Sequence, residues 1–396
     1  MYEDYLKYGN GTSASIYIAA LTNDTKYIVK YYNAGSDILV KDDRNQSLLH
    51  LAARNKAVKS MELLLKMGLD PDCGDKFNES PLHIAAHMGN IELVELLLEH
   101  GADPNYQNNS LQTPLHRASL KGNIDVIKAL IDNDANIYMV DEQQASILMY
   151  AVRSKKIKAV KFLIDNGAIV NVLDVKGDSI LHYAAQYSTV DIVRYLVDYG
   201  VNPYCKNNLK ETPLHIAVEH PHIEMVEELL QSGLTSYDKS RFDNSPYDIA
   251  VMKNRHECVE LFNRMKNDHQ YQTRLHLHPL HLAIVMNEFD KAATMTDIYD
   301  VNEKDIFNNT PLYYAIMNNE EYLVKKLLKS GASIYDIDSQ NDDAIYYAVL
   351  MGNKEIVKLL QKENIDYDKL YGGYTVLEYA KLINKKEIYE LLKKGA

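Results

Sequence analysis

Apolar residues fall along this chain in short helical stripes that return every 33 residues. Between Ser80 and Gln112, Leu82, Ile84 and Ala85 space out as one face of a short helix. Ile91, Val94, Leu97 and Leu98 form the face of a second. Ser80 stands where its hydroxyl can accept an orphaned NH of the first helical turn. Pro81 takes the first helical position, where a missing NH costs nothing. Gly101 ends the second helix through a left-handed conformation, and Asp103-Pro104-Asn105 opens a polar loop. The pattern predicts helix, turn, helix and extended loop, in that order.

The same parts recur along the chain. Units begin at Ala14, Ser47, Ser80, Thr113, Ser146, Ser179, Thr212, Ser245, His278, Thr310, Asp343 and Thr375, with two steps of 32 residues ending at Thr310 and Thr375. An alanine sits five residues into each of the twelve units, from Ala19 through Ala85 and Ala118 to Ala380. It reads as the point of closest approach, where a larger side chain would push neighbouring helices apart. One unit cannot bury its apolar faces alone, so it must stack on its neighbours.

The phrase Ser/Thr-Pro-Leu-His-x-Ala-Ala, followed by Gly-Ala-Asp-x-Asn, resembles the ankyrin repeat from Ala14 to Ala396. That resemblance implies an all-α fold: an ankyrin-type solenoid of helix pairs with β-hairpin-like loops. Inner helices and loop tips would line a concave groove that binds other proteins. With helices roughly 8–10 Å apart, a continuous stack would extend on the order of 100 Å.

The units at Ser47, Ser80, Thr113, Ser179 and Thr212 keep the motif histidine, as His50, His83, His116, His182 and His215. The unit at Ser146 has Ile147 and Met149 in place of Pro and His, and the unit at Ser245 puts Asp248 in the histidine position. Met265-Lys266-Asn267 then replaces the glycine turn, and Ala14 and His278 are the two unit starts without a Ser, Thr or Asp cap. The expected organisation is an N-terminal extension over 1–13, repeats one to eight over 14–266, an irregular connection over 267–277 and repeats nine to twelve over 278–396. One continuous stack is the alternative, because the phase survives across the connection.

Composition narrows the function. A net charge of −12 argues against binding phosphate backbones, so nucleic acid is not an expected partner. No stretch approaches a membrane-spanning apolar run, and MYEDYLKYGN lacks the layout of a signal peptide. The expected location is cytoplasmic, or host cytoplasm for a secreted effector or viral protein, and the expected state is a monomer. Cys73, Cys205 and Cys258 are too few and too scattered for a disulfide framework.

Chemistry is sparse. His269, His276, His278 and His281 are the one local histidine concentration, without metal-ligand spacing. There is no GxxxxGK[ST], HExxH, GxSxG or paired CxxC, so neither cofactor nor catalysis is expected. The resemblance assigns the motif histidines, His281 included, to hydrogen bonds between neighbouring units.

It places partner contacts in the loop before each unit start and seven to eight residues after it. Those positions hold Arg44, Gln46, Arg54, Lys76, Phe77, His87, Met88, Lys121 and Arg153. Further along they hold Lys176, Gln186, Tyr187, Leu209, Glu219, His220, Arg241 and Phe242. Phe77, Phe242 and Phe307 share the loop tip three residues before a unit start, either as exposed anchors or lying on their own loops. The expected function is non-catalytic protein recognition, as a scaffold or host-directed effector. An inhibitory or regulatory subunit of an enzyme is the alternative, and an enzyme using 266–281 a remote one.

Overall fold

The computed structural model describes residues 13–220, 222–266, 278–285, 288–305 and 308–395. The expected connection over 267–277, most of the N-terminal extension, His269, His276 and Phe307 lie outside the described residues. The chain divides into two compact units, Met1–Ala168 and Ile169–Ala396.

Among the described residues the first unit holds five helix pairs. They are α1 (Ser13–Leu21) with α2 (Thr25–Asn33), α3 (Leu48–Arg54) with α4 (Val58–Lys66), and α5 (Pro81–Met88) with α6 (Ile91–Glu99). α7 (Pro114–Lys121) with α8 (Ile124–Asp132) and α9 (Ile147–Arg153) with α10 (Ile157–Asp165) complete it. Ser13 belongs to α1, so the extension ends one residue earlier than the repeat phase suggests. First helices pack in a row, α1 on α3, α3 on α5, α5 on α7 and α7 on α9. Ala52, Ala85, Ala118 and Ala151 are fully buried along that row, as the close-contact reading requires.

In five units the motif histidine ties its first helix to the next unit, whereas Nε2 of His116 has no such partner among the described residues. The Ser80 N–H donates to Nδ1 of His83 at 3.2 Å, so the imidazole proton sits on Nε2. Nε2 then donates to the Gln112 carbonyl at 2.8 Å. His50 repeats both contacts with Ser47 and Glu79. The unit at Ser146 lacks the histidine; Ser146 Oγ accepts the Met149 N–H at 3.3 Å, and α9 still begins at Ile147.

The second unit begins with α11 (Ile180–Tyr187), α12 (Val190–Asp198), α13 (Pro213–Glu219), α14 (Ile223–Gln231), α15 (Pro246–Met252) and α16 (His256–Lys266). Beyond 277 come α17 (Pro279–Val285), α18 (Phe289–Met295), α19 (Pro311–Met317) and α20 (Glu321–Lys329). α21 (Ala344–Met351), α22 (Lys354–Leu360), α23 (Val376–Leu382) and α24 (Lys386–Lys393) follow. Asp248 caps α15 in the histidine's place, its Oδ2 accepting the Ser245 N–H at 2.9 Å and the Ser245 hydroxyl at 2.7 Å. α15 packs on α13 and α16 on α14, while α17 packs on α19 and α18 on α20. A short antiparallel pair, β1 (Leu370–Tyr371) and β2 (Tyr374–Thr375), precedes α23, with Tyr371 opposite Tyr374. Tyr313 and Tyr346 stand where earlier units have histidine, and Tyr346 stacks on Tyr371 and Tyr379 with ring centroids 5.3 and 4.7 Å apart.

Candidate functional site

The hairpin tips owe their shape to one acceptor each. Asp75 Oδ1 takes the N–H groups of Phe77 (2.8 Å) and Glu79 (3.1 Å), closing a tight turn whose next residue, Asn78, is left-handed at φ 58°. Asp42 does the same for Arg44 and Gln46, and Asp141 for Gln143 and Ala145. Successive tips are tied by backbone bonds, Lys76 N–H to the Arg44 carbonyl at 3.0 Å and Asn109 N–H to that of Phe77 at 2.9 Å. A ladder of tips results, each presenting the side chain three residues before the next cap.

In the first unit Arg44, Lys76, Phe77, Met88 and Lys121 are exposed, and Arg54, His87 and Arg153 are half-buried. Phe77 is 57% exposed, with Lys76 Nζ 4.8 Å from its ring centroid. Arg153 lies over the Tyr150 ring at 5.3 Å. Nε of Arg54 and Nδ1 of His87 are buried without a hydrogen-bond partner. Burial, then Lys121 and Arg117, hold the His87 imidazole below its usual range. Gln46 departs from the expected set: it is 2% exposed, its side chain turned inward to Asp75 Oδ2 at 3.4 Å.

Charge is sorted across this unit. The inner-helix ends carry Arg54, Lys56, Lys121, Arg153 and Lys155. The hairpin aspartates Asp42, Asp75 and Asp141 are held by backbone N–H groups, and Glu79 is paired with Arg117. What faces outward at the helix ends is cationic, although the chain as a whole is acidic.

In the second unit Lys176, Gln186, Tyr187, Leu209, Glu219, Arg241 and Phe242 are exposed, Phe242 at 66%, and His220 is half-buried. Glu219 pairs with Lys253 at 3.6 Å. Val251 and Met252 are also exposed on α15 and Leu111 on a first-unit tip; sequence mapping passed over all three. Met252 had a signal, because it lies seven residues after Ser245, the position of Arg54 and His87 in their units.

Among the described residues, no three His, Cys, Asp or Glu side chains are placed to hold a metal, and no helix is long and apolar enough to cross a membrane. Cys73, Cys205 and Cys258 are free, and burial pushes the Cys205 thiol up to about 12.

Comparison with known proteins matches this geometry. The family of ankyrin repeats (3 copies) matches residues 16–108, 104–174, 148–243, 247–341, 280–371 and 323–396. Among solved structures the chain is similar to the crystal structure of the human ASB11 ankyrin repeat domain, at 26% identity and a TM-score of 0.50, over 55% of this chain and 97% of that one. No curated protein matches it. Histidine-locked helix pairs, aspartate-closed tips and family matches from residue 16 to residue 396 together make the chain a member of the ankyrin-repeat family.

Proposed function

We propose that this protein is a non-catalytic, monomeric binding module that recognises a partner protein through the inner faces of repeats one to eight. The observation that carries the reading is the presence there of unlike apolar and cationic side chains that are exposed or half-buried. Phe77, Met88, Tyr187, Leu209 and Phe242 offer apolar and aromatic anchors beside Arg54, Lys121 and Arg153. In the first unit the complementary partner is an acidic segment with apolar side chains, because the helix-end row carries Arg54, Lys121 and Arg153 while Asp42, Asp75 and Asp141 are held by backbone N–H groups.

The test is affinity capture from native-cell lysate with the wild-type chain beside Arg153→Glu/Tyr187→Ala, read by mass spectrometry. A protein retained by the wild type and lost by the folded variant supports the reading. Equal capture by both overturns this placement of the site.

A further inference from the structure

The repeats supply an internal control for one loop. After α6, in residues 102–106, Ala102 is buried but Asp103 is exposed and Pro104, Asn105 and Tyr106 are half-buried. The equivalent loop after α12, residues 201–205 with the sequence Val-Asn-Pro-Tyr-Cys, is buried at every position. What covers it comes from far along the chain, within the same compact unit.

Tyr204 sets its ring against Tyr314 in a T-shaped contact at 6.1 Å, and Tyr204 and Cys205 share an apolar cluster with Leu280, Leu312 and Tyr313. Asn171 Nδ2 donates to the Tyr347 hydroxyl at 3.0 Å, and that hydroxyl donates onward to Asp338. Gln340 Nε2 donates to the Tyr199 carbonyl at 2.6 Å. The Asn202 side chain is hydrogen-bonded to Tyr313. The 338–342 tip holds the hairpin position that 75–79 holds in the first unit, and Tyr313, Tyr314 and Tyr347 stand beside it on the first helices, three or four residues after their unit starts.

We propose that the inner side of repeats nine to eleven is a recognition surface already occupied by this chain's own loop 199–205, so that 278–395 is held by docking on that loop and not by continuing the stack. Packing on the two sides of 267–277 agrees, since α15 and α16 pack on α13 and α14 and α17 and α18 on α19 and α20. The surface fits an uncharged Asn-Pro-Tyr tip. Its walls hold Asp305, Asp338 and Asp342, and burial raises the carboxyls of Asp338 and Asp342. A further carboxylate brought against them is repelled, whereas an amide can donate. Asn202 occupies the position that Asp103 holds in the open loop.

Asn202→Asp is therefore the informative variant. The turn itself accepts either residue: Asn202 Oδ1 takes the Tyr204 N–H at 2.8 Å, and Asp103 Oδ1 takes the Asn105 N–H at the same distance. Cys205, adjacent to Tyr204 and buried, reports opening through its labelling by N-ethylmaleimide, mapped by mass spectrometry on the full chain. In the wild type, Cys205 should label far more slowly than half-buried Cys73, at a rate independent of protein concentration. In Asn202→Asp its labelling should rise at least about tenfold, with Cys258 unchanged as the sign that the repeats stay folded. Tyr347→Phe, which removes the bridge from Asn171 to Asp338 without changing volume, should give a smaller rise. Cys205 labelling as fast as Cys73 in the wild type, or staying protected in both folded variants, overturns the proposal. Protection that grows with protein concentration also overturns it and assigns the loop's cover to a second copy of the chain.

Discussion

His83 and Gln112 are joined by a 2.8 Å hydrogen bond from imidazole Nε2 to backbone carbonyl, across 29 residues of sequence. The proton is placed for that bond because Nδ1 already accepts the Ser80 N–H. One side chain thus caps its own helix and fastens the next repeat. His182 does the same with Ser179 and Glu211. Replacing His83 by Ala removes both bonds, strands the buried Ser80 N–H and leaves a cavity. The expected loss is about 2–4 kcal/mol, read from urea unfolding of the full chain. A loss under about 0.5 kcal/mol would show that the bond is incidental.

The same burial makes stability depend on pH, with a definite sign. Desolvation lowers His83 and His215 to about 4 and His116 to about 3, and lowers His50, His182 and His281 as well. In the unfolded chain these imidazoles titrate near ~6.5. Below that pH the unfolded state binds more protons, so stability is fully present above it and is lost as pH falls towards the folded values. Asp72, Asp174, Glu320, Asp338 and Asp342, raised by burial, act in the opposite sense but are fewer. The urea midpoint should fall steadily from pH 7 to pH 4.5, and a flat or rising midpoint would contradict the assignment of neutral buried imidazoles.

The recurring alanine admits a volume test. Ala118 is fully buried on α7, which packs against both α5 and α9. Ala118→Leu forces two helix contacts apart at once and should cost about 1–3 kcal/mol, seen as a lower thermal midpoint. An unchanged midpoint would mean that the helices have slack there.

Much of this architecture was legible because its signals are local. A cap, a first-position proline and a glycine turn each act within a few residues, and a period near 33 multiplies the evidence. Asp248 was legible as the occupant of a histidine position, and its capping bond to Ser245 came only with the structure. The candidate faces were legible by position, yet position cannot say which hairpin side chain turns inward, and Gln46 is the case where it misleads. The burial of 201–205 had no periodic signal, since it depends on residues more than a hundred positions away. Its traces were substitutions: Asn202 and Tyr204 where the open loop has Asp103 and Asn105, and tyrosine for histidine at Tyr313 and Tyr346.

Two phenylalanines separate what the fold needs from what recognition needs. Phe262 is 1% exposed, packed beside Tyr247 at 6.2 Å, and its ring supports α16. Phe262→Ala should cost about 3–5 kcal/mol, since it removes a filled ring from a core. Phe77 has a hairpin already closed by Asp75 through backbone bonds, and its ring meets only the Lys76 ammonium among the ring contacts of the described residues. Phe77→Ala should therefore shift stability by no more than about 0.5 kcal/mol while lowering capture of the partner in the pull-down. Chemical unfolding and capture measured on the same two variants give opposite rankings if exposed tip aromatics serve binding. Equal destabilisation by both would return Phe77 to the hairpin's own structure and remove it from the recognition face.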